Sequence, residues 1–188
     1  RETYDAFWKE FGLQIKYGVY SDFGAHKELL QDLLMFYSSK EQKLVTLEEY
    51  VNHMEENQQY IYFVSGNDVN KMDRLPQVEK VKDKGFEILY LTDEVDEFAL
   101  MVLNSFKEKE FKNISQGDLD LDSEEEKQEI EKKNESHKEL LTSLADILKE
   151  EVAEVKLSTR LKSHPVCLSA GEGMSFEMEK VLNSMPES

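Results

Sequence analysis

The chain has 188 residues, enough for one large domain or two small ones, and its 39% hydrophobic content supports cores of modest size. Its 23 basic residues stand against 40 acidic ones, and the net charge of -17 repels phosphate backbones and anionic lipid, so nucleic acid and membrane surfaces are not expected partners. A single cysteine, Cys167, excludes an internal disulfide and any CxxC metal or redox site, and suits a reducing compartment. The apolar stretches fall far short of the roughly 20 residues that span a bilayer, and neither a membrane span nor a charged-then-apolar leader is expected.

Tyr4, Phe7, Trp8, Phe11 and Ile15 recur at helical spacing, which predicts a first helix with one apolar core stripe, ended by Gly18. A second helix is predicted over residues 25–37, with Leu29, Leu30, Leu33, Leu34 and Tyr37 on one broad face. Thr46 and Glu49 form the T-x-x-E pattern of a capping box that opens a third. Residues 1–54 are thus expected to be a three-helix segment.

Residues 60–64 read YIYFV, a nearly unbroken apolar run ending at Ser65 and Gly66, as in a strand buried on both faces. Pro76 suits the first turn of a helix, Gly85 its left-handed cap, and residues 86–91 a second buried strand. Strand, helix and strand in this spacing predict a parallel, right-handed βαβ unit. A further helix is expected over residues 93–106 and one more strand over 111–114, completing a small αβα layer over residues 55–115.

At residues 117–135 the composition changes to GDLDLDSEEEKQEIEKKNE, too acidic and poor in aromatics to bury much surface by itself. Residues 116–135 are expected to be an acidic linker and helix start, and residues 136–188 the first part of a second, α+β domain. In it Leu140, Leu141, Leu144, Ile147 and Leu148 give a helical seam, and residues 152–158 alternate as VAEVKLS, predicting a strand that pairs with residues 166–169 as a hairpin. A last helix runs from Met174 to about Met185, and the overall class is α+β with a parallel βαβ unit.

The blocks YDAFWKEFGLQIKYGVYSDFGAHKELLQDLLMFYSS, LVTLEEYVNHM, YIYFVSG and FEILYLTDEVDEFAL, in this order, resemble the heat-shock protein ninety chaperone family, bacterial HtpG type. The resemblance covers essentially the whole chain and implies the back half of the family's middle domain followed by the front half of its carboxy-terminal domain. It implies a cytoplasmic, ATP-dependent chaperone that works as a homodimer, with ATP and magnesium held by an amino-terminal domain. The middle-domain arginine that reaches the terminal phosphate is expected upstream of Arg1. For this segment it implies neither cofactor, metal nor catalytic residue, and as partners non-native client proteins and co-chaperones.

Other constellations are weak. Asp118, Asp120, Asp122 and Glu129 imitate the charges of a calcium loop, yet Ser123 stands where glycine is needed and Glu125 where an apolar residue is usual, so a solvated acidic linker is the expectation. Ser65-Gly66-Asn67-Asp68 has one glycine and makes a turn rather than a phosphate cradle. His164 and Cys167 lack a third orienting group for nucleophilic chemistry, and His26, His53 and His137 read as surface residues.

In the last helix Met174, Met178, Val181, Leu182 and Met185 form a methionine-rich stripe, read from spacing as core or as an adaptable binding surface. The resemblance implies the latter, with client contacts carried over to Phe98 and Met101 of DEFALM and to Met174, Val181 and Leu182 of GMSFEMEKVL. Several bacterial members carry tryptophan at the position of Phe98 and a polar residue at that of Met101. Asp93, Glu94, Asp96 and Glu97 around Phe98 predict that it is partly exposed. Two other readings remain: a rigid interdomain scaffold that docks co-chaperones and buries the methionine stripe, and a small enzyme on the αβα layer, for which no convergent titratable groups are visible.

Overall fold

The computed structural model describes residues 1–117, 119, 121–158, 161, 163–171 and 173–185. Its centre is a pair of parallel strands that are apolar on both faces, β3 (Ile61–Ser65) and β4 (Ile88–Leu91), with Tyr62 opposite Ile88 and Ser65 opposite Leu91. Side chains alternate along a strand, so Ile61, Phe63, Leu89 and Leu91 feed one core while Tyr62, Val64, Ile88 and Tyr90 feed the other. β6 (Lys109–Asn113) lies parallel on the far side of β3 and pairs antiparallel with the edge strand β5 (Ser105–Phe106). On the far side of β4 comes β1 (Met35–Ser38), antiparallel, hairpinned to β2 (Leu44–Thr46); the sheet order is β2-β1-β4-β3-β6-β5.

The crossover from β3 to β4 is helical, through α4 (Val69–Asp73) and α5 (Pro76–Asp83). Asp68 caps α4 by accepting from the Lys71 amide at 3.0 Å, Pro76 opens α5, and Gly85 takes the left-handed φ of 80° that ends it. These helices cover one face of the sheet with Met72, Val78 and Val81. The other face is covered by α1 (Glu2–Ser21), α3 (Leu47–Asn52) and α6 (Asp96–Leu103), which contribute Trp8, Val19, Leu47, Tyr50, Ala99, Leu100 and Leu103. The expected capping box of α3 is present, with Thr46 Oγ1 accepting from the Glu49 amide and Glu49 accepting from that of Thr46.

The second predicted helix is corrected. Helical structure is confined to α2 (Lys27–Leu30) and a 3-10 turn, Gln31–Leu33; the chain turns extended at Leu34, and Met35, Phe36 and Tyr37 pair with Thr46, Val45 and Leu44. Pairing places Met35 and Phe36 in the core, whereas Leu29 and Leu33 of the expected helical face remain exposed. The first 54 residues are therefore not a three-helix unit, because two of the six strands of the sheet come from them.

Helix α1 also runs through Gly18 instead of ending there. Gly18 serves close packing, since a Cβ there would stand 3.3 Å from Leu30 Cδ1. The left-handed turn comes at Phe23 and Gly24, where a Cβ on Gly24 would meet Val102 of α6 at 2.7 Å. The buried face of α1 is Trp8, Gly12, Lys16 and Val19, rotated from the predicted stripe so that Phe7 and Phe11 are exposed.

Beyond the sheet, α7 (Glu124–Ser136) begins at a capping box of Ser123 and Glu126 and passes through His137 into α8 (Lys138–Ile147). Neither buries a residue. Residues 152–158 and 166–169 do not form the expected hairpin: among the described residues VAEVKLS alternates but has no partner strand, and a single parallel bridge joins Gln116 and Ala170. The Ala170 amide donates to Ser115 O at 3.1 Å, returning the chain to the sheet before α9 (Phe176–Ser184). Among the described residues no helix is long and apolar enough to cross a membrane.

Candidate functional site

Helices α6 and α9 carry the candidate surface. The start of α6 is held by a buried charge cluster: Lys16 of α1 places its Nζ 2.7 Å from Asp96 Oδ1 and 2.8 Å from Asp93 Oδ2, over the rings of Phe36 and Trp8. Asp96 also accepts from the Asp93 amide at 3.1 Å, closing the turn into the helix. Burial pushes the Asp96 carboxyl above its ordinary range, and the ammonium of Lys16 works against that rise. An ion pair this buried sets the position of α6 on α1 firmly, because removing either partner strands the other.

One residue on, Glu97 is also buried, and its carboxylate receives the Ser175 hydroxyl at 2.8 Å and 2.6 Å from its two oxygens. Ser175 is the N-cap of α9, and the same Oγ accepts from the Met178 amide at 3.1 Å. Burial raises the Glu97 carboxyl above its usual range, and the Ser175 bond opposes that. Ser65 Oγ and Asn113 Nδ2 are buried nearby without a close hydrogen bond, so their pull on this charge is weaker than that of Ser175. Between the carboxyl ends of β3 and β4, the start of α6 and α9 lies a cavity of about 310 Å³, lined among others by Asn67, Glu94, Glu97, Met178 and Val181.

The five residues expected to contact clients are not equivalent. Met101 is 59% exposed, Met174 51% and Leu182 40%, and Val181 is half-buried in the cavity wall. Phe98 departs from the expectation: it is 8% exposed, its ring 5.6 Å from that of Tyr20 and tilted against it. The acids that suggested an exposed ring do not mark solvent, because Asp96 and Glu97 are themselves buried. Met101 lies one helical turn beyond Glu97, and Met174 adjoins Ser175, so the Glu97–Ser175 bond links the two elements that carry Met101 and Met174. Leu182 lies further along α9, outside the cavity lining. Lys16, Asp96, Glu97 and Ser175 hold this arrangement and were not singled out as such from sequence. The helix predicted to start at Met174 begins instead at Phe176 behind the Ser175 cap, while Met178, read as part of the methionine stripe, is buried.

Asp118 and Asp120 lie outside the described residues, and Asp122 pairs with Lys80 of α5. Among the described residues no group of three or more His, Cys, Asp and Glu is arranged to hold a metal. His164 turns to Ser163 Oγ at 3.1 Å and lies 3.8 Å from Glu79 of α5. The Gly66 amide is taken by Leu91 O at 3.0 Å.

Comparison with known families decides what carries this surface: the family described as Hsp90 protein matches residues 1–187. The chain belongs to the Hsp90 family. It is 52% identical over 188 residues to the chaperone protein HtpG of Bacillus subtilis (strain 168), and 56% identical over 187 residues to that of Clostridium acetobutylicum. A Clostridium botulinum (strain Okra / Type B1) relative of the same name is 54% identical over 186 residues. These matches cover 99% to 100% of this chain, which spans about 30% of the length of each relative. The surface between α6 and α9 thus lies within the part of the chain that the Hsp90 family model matches.

Proposed function

We propose that this segment of an Hsp90-family chaperone binds non-native or partly folded proteins through dispersed apolar contacts, with no chemistry of its own. Met101, Met174, Val181 and Leu182 are the contacts, and Phe98 is a core residue packed on Tyr20. The observation that carries this reading is the exposure of Met101 and Met174 on elements joined by the Glu97–Ser175 bond, with Met178 and Val181 in the wall of the adjoining cavity. A client side chain that covers such a residue gains on the order of 1 kcal/mol, so binding is modest and tolerant of sequence.

The ATP and magnesium of the whole chaperone bind outside this segment. Two features support that: the Gly66 amide is already committed to Leu91, and Asp93, Glu94 and Glu97 beside it repel a phosphate. We assign the whole protein to the cytoplasm as a homodimer whose ATP-driven closure reshapes this surface. The competing scaffold reading, in which this segment docks co-chaperones and clients bind elsewhere, draws its support from the burial of Phe98 and Met178.

Fluorescence anisotropy with a labelled, persistently unfolded protein separates the two. Met101→Ala with Leu182→Ala together should weaken binding about tenfold. Unchanged affinity in a variant of unaltered stability supports the scaffold reading.

A further inference from the structure

The surface just described depends on where α9 sits, and α9 is held almost entirely at one end. Its buried residues are Met178 and the N-cap Ser175; Phe176, Leu182 and Met185 are exposed and Val181 is half-buried. The segment leading into it is tied by Ala170 to Ser115 and by the Leu168 carbonyl to Gln77 Nε2 at 2.9 Å, both upstream of Ser175. The anchor at the start of α9 itself is therefore the Ser175 hydroxyl. That one Oγ accepts from the Met178 amide, which starts the helix, and donates to Glu97, which joins the helix to α6.

Glu97 suits an anchor for two reasons. It follows Asp96, which Lys16 holds in place, so its backbone direction is set from α1. Among the described residues no cation pairs with it, and the Ser175 hydroxyl is its principal donor. A carboxylate with one principal donor, on a helix rooted by the Lys16–Asp96 pair, one turn from Met101, sets both the distance and the direction of α9 relative to α6.

Building on the client-binding reading above, we propose that Glu97 and Ser175 are positioning residues: their hydrogen bond fixes α9 against α6 and so gives the client surface its shape. The bond acts as a pin at one end of α9, leaving the exposed Leu182 and Met185 further along free to repack around each client.

The decisive variant is Ser175→Asp. Aspartate is as good an N-cap as serine, so helix initiation survives, while a second carboxylate is set against Glu97. Without client, amide exchange in α9 should speed up about tenfold or more, as expected for losing a buried, charge-assisted hydrogen bond. Client affinity should fall about threefold to tenfold, less than complete loss because Met101 is untouched. Glu97→Gln in the same chain removes the repulsion and should restore both readings, as should Ser175→Thr in place of Ser175→Asp, outcomes that a simple folding defect would not give. Ser175→Asp with unmodified α9 exchange overturns the pin. Accelerated exchange with unchanged client affinity overturns the positioning role while leaving the client surface intact. If the unmodified chain binds no unfolded protein, the client reading fails and the positioning role with it, whereas exchange in α9 still reports separately on the bond.

Discussion

Leu89 and Leu144 are both leucines on regular elements, yet one is fully buried in the sheet and the other is 38% exposed on α8. The contrast extends to their surroundings. The region up to Ile114 buries apolar side chains on both faces of the sheet, whereas α7 and α8 bury none, and Leu140 and Ile147 stand 57% and 77% exposed. A hydrophobic stripe thus becomes a core only where the topology brings a second layer to it. The α6–α9 surface lies at the border between these two regimes, with one helix packed on the sheet and the other joined to that helix through its N-cap.

The largest expected effect that breaks this contrast is at the root of α6. Lys16→Met leaves Asp96 buried without its partner and should cost about 3–5 kcal/mol in urea unfolding, far more than a surface ion pair. Leu89→Ala, on a central strand, should cost about 3 kcal/mol by the same measurement, from lost burial and the cavity left behind.

A smaller effect is pH-dependent. Burial raises the carboxyls of Glu87, Asp96 and Glu97 above their unfolded values, so the folded chain holds more protons than the unfolded one just above the ordinary carboxyl range. The stability these groups contribute is complete below about pH 4 and is lost as pH rises through their raised values. Glu97→Gln removes one such group, so its melting temperature should gain on that of the unmodified chain as pH increases from about 4 towards 7. The smallest effect is at Leu144→Ala, expected within about 0.5 kcal/mol because its side chain has no second layer to lose. A large loss there would mean that α8 is packed in solution, and the comparison would collapse.

Much of this fold was legible. The apolar runs of β3 and β4, Pro76 and Gly85 around α5, and the capping pair Thr46 and Glu49 each announce a local structure that tertiary packing then keeps. The β1–β2 hairpin was not legible, because Met35, Phe36 and Tyr37 continue a leucine pattern of helical period and only pairing across the turn reveals the strand. Of the candidate surface, the exposed methionines were named from the sequence and the buried groups that hold it were not. Met101 and Met174 follow from spacing and resemblance. Burial of Phe98, and of the charges at Lys16, Asp96 and Glu97, depends on contacts from α1 and Ser175, which lie 77 to 80 residues away from α6 in the chain and leave no local signature.

The central claim is that exposed apolar groups of α6 and α9 together receive unfolded protein. Its most direct test is an amide-resolved NMR titration of this chain with a persistently unfolded protein. The account predicts saturable shifts confined to residues around Met101 and Met174 through Leu182, reduced by Met101→Ala with Leu182→Ala. Shifts elsewhere that are untouched by this pair of changes, or no shifts at all, would contradict it.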